Sequence, residues 1–225
     1  MAGILKAERS SYGRRRALVQ LASLLLGLAL ALAAGTAEAR PLKIVAFGDS
    51  LTAGLGLPAA KAFPAQLQAA LRAKGYDVEI ANAGVSGETA SDGLARYDWS
   101  VPAGTDGLIV EFGANDMLRG LPPDKARQAL AAILDRAKAA GIPVLLAGMR
   151  AAPNLGADYV HAFDAIFPDL AQRSGAILYP FFLDGVAVDP KLNQPDGLHP
   201  TDAGVAVIVA HILPSVEALL ARAKP

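Results

Sequence analysis

Cysteine is absent from all 225 residues, which removes disulfide staples, thiolate nucleophiles and Cys-ligated zinc or iron–sulfur sites. Histidine is scarce: of the three, His161 and His211 fall in helical patterns, as packing or surface residues, so a metal centre built on imidazoles is a poor reading. Net charge is also missing, because 21 Lys and Arg offset 21 Asp and Glu. A protein that displaces phosphate counterions needs a basic surface, so this balance argues against a general nucleic-acid binder. Aromatic residues make up only 6% of the chain, which leaves little for the stacking platforms that hold sugars. No G-x-x-x-x-G-K-[ST] phosphate loop occurs, and Gly48-Asp49-Ser50 does not open a G-x-S-x-G elbow, because position 52 is Thr.

Aliphatic side chains are what the sequence has in quantity. At 53% hydrophobic it is too apolar for a disordered chain, and its length suits one domain, or one domain behind a leader. The start of the chain reads as that leader. Arg14, Arg15 and Arg16 precede an uncharged run from Ala17 to Ala34, and Ala37-Glu38-Ala39 has the small-x-small form of a signal-peptidase site. A retained membrane anchor is the alternative, since the run approaches the lower limit for spanning a bilayer; the A-x-A exit favours cleavage. The arginines also raise a twin-arginine export route, though no full motif surrounds them. The expected organisation is a signal peptide over 1–39 and one domain over 40–225. Loss of five basic and two acidic leader groups leaves 186 residues with a net charge of −3, destined for the periplasm or the medium.

The rest alternates between two periodicities. Short aliphatic runs at Leu42–Phe47, Val78–Ala81, Gly107–Phe112, Pro143–Ala147 and Ala176–Leu178 read as buried strands. Helical spacing appears over Ala60–Lys74, Asp124–Ala140, Tyr159–Arg173 and Thr201–Arg222, with Gly75 and Gly141 as stops and Thr201 as a cap. Alternating strand and helix predict a five-stranded parallel sheet in a three-layer α/β/α, flavodoxin-like sandwich. No internal repeat or interdomain linker interrupts it.

Ligands of such sheets bind beyond the carboxyl ends of the strands, and polar residues cluster there. Gly48-Asp49-Ser50 follows the first strand and can lift a hydroxyl to the sheet edge. Asn82–Thr89 follows the second, where Gly87 lets a backbone N–H approach a ligand closely. Gly113-Ala114-Asn115-Asp116 follows the third and offers a carboxamide. Asp196-Gly197-Leu198-His199-Pro200 precedes the last helix; an Asp three residues before a His can hold its Nδ1–H and leave Nε2 free to take a proton. Each segment alone is also ordinary turn or cap chemistry. Together they supply a hydroxyl, a base, an orienting carboxylate and N–H donors, the requirements of acyl transfer.

These blocks, GDSLTAG, NAGVSGET, GAND and DGLHP, resemble the four blocks of the SGNH (GDSL) hydrolase family in its order and near its spacing. The resemblance spans essentially all of the expected mature domain. It is closest to the bacterial periplasmic multifunctional acyl-CoA thioesterases, lysophospholipases and arylesterases, to which Gly113–Gly120, Ala152–Gly156 and Tyr179–Phe182 are also similar. It implies Ser50 as nucleophile, His199 as general base and Asp196 as its orienter, with the Ser50 and Gly87 N–H groups and the Asn115 amide as oxyanion hole. Ala114 and Met117 depart from the smaller residues frequent in that group, which bears on substrate range. Asp49 reads as a turn ligand rather than a second acid. The Arg150–Ala157 loop is expected to border the acyl site, and Met117, Ala152, Pro153, Asn154 and Leu155 are candidate substrate contacts.

The expected activity is hydrolysis of a small acyl ester or thioester, with no metal and no organic cofactor. Membrane contact is expected only through the leader before cleavage, nucleic acid is not a partner, and a monomer is expected. Two alternatives stand beside it: a carbohydrate esterase that removes acetyl groups from a glycan, and a catalytically silent binding module. The intact set Ser50, Gly87, Asn115, Asp196 and His199 speaks against the silent module.

Overall fold

Short aliphatic runs ending near glycine, and longer periodic segments opened by proline or threonine, decide the architecture. The computed structural model describes residues 40–223; the expected leader, residues 1–39, lies outside the described residues. The aliphatic runs form β1 (Leu42–Gly48), β2 (Val78–Gly84), β3 (Gly107–Glu111), β4 (Val144–Ala147) and β5 (Ile177–Tyr179). All neighbours pair in parallel in the order β2-β1-β3-β4-β5, so the winding direction reverses between β1 and β3. The helices are α1 (Ser50–Ala53), α2 (Phe63–Ala73), α3 (Ala90–Ala95), α4 (Tyr97–Ser100), α5 (Ala114–Leu118), α6 (Pro123–Ala139), α7 (Ala157–Asp164), α8 (Ile166–Ser174) and α9 (Asp202–Leu220).

The expected three layers follow from side-chain alternation. Ile44 and Phe47 are an odd number of residues apart on β1 and point to opposite faces. On the Phe47 face, Tyr97 and Phe112 meet Phe47 edge-on at centroid separations of 6.0 and 5.0 Å, and Arg136 of α6 lies over Tyr97. On the Ile44 face, bare Gly107 makes room for Ile44 and for Leu219 of α9, and α9 packs on α2. Every residue of β3 and β4 is buried, as a sheet covered on both faces requires. Helix α9 is apolar enough to match a membrane span, with a mean hydropathy of 1.9, yet Val205, Ile208, Ile212, Val216 and Leu219 are buried in the core.

Several boundaries differ from the sequence reading, each for a physical reason. The helix expected over Tyr159–Arg173 is two helices broken at Ala165, because Pro168 has no N–H for the Asp164 carbonyl and its ring crowds that carbonyl. Strand β2 runs on to Gly84, since Asn82, Ala83 and Gly84 pair with Ala46, Phe47 and Gly48. Short helices also stand where loops were expected: α1 opens at Ser50 and α5 contains Asn115.

Register aligns one row across all five strands: Gly84, Gly48, Glu111, Ala147 and Tyr179. Two of its members are glycine because α1 is folded down onto them. A Cβ on Gly84 would collide with the Ala53 backbone, and one on Gly48 with the Thr52 hydroxyl and the Glu111 carboxyl. Gly84→Ala is therefore expected to destabilise the protein by about 1–3 kcal/mol, the usual range for overpacking, read as a lowered urea midpoint with an unchanged m-value.

Candidate active site

Helix α1 is only one turn long and is held by its cap. The Asp49 carboxylate accepts the Leu51 N–H at 3.0 Å, and Gly54 closes the turn with φ at +80°. Ser50 opens the helix, so its N–H is among those without an intrahelical acceptor. Ser50 is buried, at 7% exposure, and its hydroxyl bonds to His199 Nε2 at 2.9 Å.

His199 arrives from the other end of the chain on a loop closed by its own backbone. The Gln194 N–H donates to the His199 carbonyl at 2.7 Å, Gly197 takes a left-handed φ of +69°, and Asn193 bridges to Pro200. The Gln194 amide then donates to the Leu55 carbonyl at 2.7 Å, tying this loop to the turn after Ser50. Asp196 accepts from the Leu198 and His199 N–H groups at 2.9 and 3.0 Å and meets His199 Nδ1 at 2.6 Å. Those backbone donors, joined by the imidazole, pull the Asp196 carboxyl down to about 2. Above that value Asp196 is a carboxylate and only accepts, so Nδ1 carries the hydrogen, and Nε2 of the neutral ring accepts from the Ser50 hydroxyl.

Asn115 sits in α5 just beyond β3. Its amide nitrogen donates to the Glu88 carbonyl at 3.0 Å and to Asp49 Oδ2 at 3.2 Å. Gly87, next to Glu88, has φ of +84°, and its carbonyl accepts from the Arg119 guanidinium. Arg96 braces the same loop from below: it donates to Glu88 Oε2 at 2.6 Å and to the Gly48 carbonyl at 3.1 Å, and lies 4.6 Å over the Phe47 ring. Helix α3 is capped by Thr89 and Asp92 in a reciprocal box, and the Asp116 carboxylate holds its first N–H, that of Ala90, at 2.9 Å.

Beneath Ser50 lies a polar cluster shielded from solvent. Asp49 and Glu111 are both fully buried, and the Thr52 hydroxyl donates to Glu111 Oε2 at 2.7 Å. Burial pushes the Asp49 carboxyl up to about 6. Burial, and then the neighbouring Asp49 charge, push Glu111 well above the usual carboxylate range.

A cleft of about 510 Å³ opens onto this site. Ser50, Asn115 and His199 line it together with Leu51, Met117, Leu118, Met149, Phe181, Leu183, Val188 and Leu198, so its wall is mainly apolar. Of the sequence-derived contacts, Met117, Ala152 and Pro153 line the cleft. Asn154 and Leu155 are outside its lining, in a 3-10 turn over Pro153–Leu155 from which Leu155 packs against the core. Gly87 is also outside the lining and is tied to Asn115 through Glu88. His161 and His211 lie on helices α7 and α9, and neither lines the cleft. The sequence reading missed Arg96, Glu111 and Gln194; the one signal available was Glu111, the sole charge in an otherwise apolar strand.

A hydroxyl on an imidazole that is itself held by a carboxylate, at the carboxyl edge of a doubly wound sheet, defines the serine-hydrolase class. The chain belongs to the GDSL-like Lipase/Acylhydrolase family, whose model matches residues 46–207, and it is an ester hydrolase. It is 37% identical to the Pseudomonas aeruginosa protein named Esterase TesA over 199 residues, covering 88% of this chain and 99% of that protein. It is 38% identical to an arylesterase of Vibrio mimicus over 184 residues, 81% of this chain and 90% of that protein. Among solved structures it matches AlinE4, described as an SGNH-hydrolase family esterase, at 47% identity with a TM-score of 0.68, over 83% of this chain and 99% of that one.

Thr52→Val removes the hydroxyl donor from a carboxyl that water does not reach. The expected cost is about 1–3 kcal/mol of stability, measured by urea unfolding.

Proposed function

We propose that the protein is an exported esterase and thioesterase of apolar acyl chains that works through a covalent acyl-enzyme on Ser50. The observation that carries this reading is the continuous Ser50–His199–Asp196 hydrogen-bond chain at the floor of an apolar cleft. Ser50 Oγ attacks the acyl carbonyl carbon while its proton passes to His199 Nε2. Asp196 stays ionised and stabilises the resulting imidazolium. The carbonyl oxygen, now negative, accepts from the Ser50 and Gly87 N–H groups and from the Asn115 amide. Collapse breaks the bond to the alcohol or thiol, which leaves with the His199 proton. Water, deprotonated by the same imidazole, then attacks the acyl-enzyme, and the acid departs.

These steps call on side chains and backbone groups of this chain alone. An acyl chain fits the wall of Met117, Met149, Phe181, Leu183 and Val188 better than a glycan does, because those side chains give sugar hydroxyls no partners. The proteins similar to it are named esterase, arylesterase and thioesterase 1/protease 1/lysophospholipase L1, which supports the same range. Export rests on the leader pattern at residues 1–39, so mature protein recovered from the periplasm or medium should begin at Arg40.

Nitrophenyl esters of graded chain length, acyl-CoA, lysophospholipid and acetylated sugars are the substrates to compare. Ser50→Ala should abolish turnover of every one with the fold retained; residual wild-type turnover would refute the mechanism. Asn115→Ala should lower kcat by roughly 100- to 1,000-fold, the usual loss for one oxyanion donor.

A further inference from the structure

The steps above leave two carboxyls at the floor of the site without a task. Asp49 and Glu111 are fully buried neighbours: Glu111 pairs across the sheet with Gly48, the residue before Asp49, and takes the Thr52 hydroxyl from the turn that Asp49 caps. Two neighbouring carboxyls away from water do not both ionise. Asp49 is the better anion, since it accepts from Leu51 N–H at 3.0 Å and Asn115 Nδ2 at 3.2 Å. Glu111 takes the Thr52 hydroxyl on Oε2, whereas Oε1 is buried with no hydrogen-bond partner. Of the other titratable groups nearby, His199 is bonded to Ser50 and Asp196, and Arg96 is engaged with Glu88 and the Gly48 carbonyl.

We propose that Asp49 and Glu111 share one proton, with Glu111 the neutral member, and that the pair is the positioning unit that sets the Asn115 amide against Ser50. This rests on the roles of Ser50 and Asn115 given above. One carboxylate spans both parts of the site: Oδ1 fixes the turn that carries the hydroxyl, and Oδ2 fixes the amide. In the reaction the Asn115 N–H is shared between Asp49 and the oxyanion. A bare carboxylate would hold that N–H and repel the developing charge. The Glu111 O–H draws the Asp49 charge away and weakens both effects. The benefit falls on the transition state, so it acts on kcat rather than KM.

Glu111→Gln keeps an N–H donor for Asp49 and an acceptor for Thr52, whereas Glu111→Ala deletes both. Glu111→Ala should lower kcat by tenfold or more, roughly, with KM within about twofold, and Glu111→Gln should restore kcat to within about threefold of wild type. The proton is read separately, from the side-chain carboxyl carbon of Glu111 by NMR, which should keep the shift of a protonated acid at pH 7. Stability adds a third readout. A carboxyl whose folded value is raised supports the fold below its unfolded value, and that support is lost as pH rises through the folded value. Glu111→Gln does not titrate, so its Tm should gain on wild type as pH rises from about 5 to 9. Wild-type kcat in Glu111→Ala, a Gln variant as impaired as the Ala variant, or Glu111 titrating near the ordinary value of about 4.3 would overturn the proposal. If the Ala variant does not fold, the Gln variant and the NMR titration still decide. Turnover surviving in Ser50→Ala would instead refute the underlying reading, and the Glu111 titration would report on the shared proton regardless.

Discussion

The row Gly84, Gly48, Glu111, Ala147 and Tyr179 is the constraint on which the site depends. Parallel pairing brings five segments, far apart in sequence, to one level, and each strand's loop leaves the sheet from there. Ser50, Glu88, Asn115 and Met149 lie within five residues of that row. Only His199 and Asp196 come from elsewhere, on the loop before α9, and Gln194 fastens that loop to the Leu55 carbonyl. Glycine at two row positions lets α1 lie directly on β1 and β2. The sheet edge thus places the hydroxyl and the amide before any side chain is chosen for chemistry.

Three carboxyls near one serine show how environment assigns roles. Asp196 faces solvent, carries two backbone N–H bonds and the imidazole, and is drawn down to about 2. Asp49 and Glu111 face the core, where burial works in the opposite direction and pushes Asp49 up to about 6. In the proposed mechanism the exposed carboxylate stabilises the positive charge that forms on His199, and the buried pair carries as little negative charge as possible beneath the oxyanion. Residue type alone does not separate these tasks; hydrogen-bond donors and water do.

Much of this was legible in the sequence, and the reasons are specific. Aliphatic runs between turns mark all five strands, because a buried parallel strand has no polar alternation to obscure it. Ser50 and Asn115 stand out because the carboxyl ends of parallel strands are where such sheets hold polar groups, and Asp196 and His199 because an Asp three residues before a His can hold its Nδ1–H. Other features needed three dimensions. Pro168 lies in a segment of good helical spacing, and its effect on the Asp164 carbonyl is a matter of backbone geometry. Asp49 looked like a simple turn ligand because Glu111, its buried neighbour across the sheet, is remote in sequence. Arg96 and Gln194 act on carbonyl oxygens, a class of partner that leaves no trace in residue type. Asn154 and Leu155 share a loop with Ala152 and Pro153, but the 3-10 turn directs Leu155 to the core.

The central claim is that Ser50 is the atom source of a covalent acyl-enzyme. Intact-mass and peptide mass spectrometry after exposure to an activated alkyl phosphonate tests it most directly. The account predicts one adduct per chain, on the peptide containing Ser50, forming in step with loss of hydrolysis and absent after unfolding or in Ser50→Ala. A stoichiometric adduct on another residue, or full inactivation without any adduct on Ser50, would contradict it.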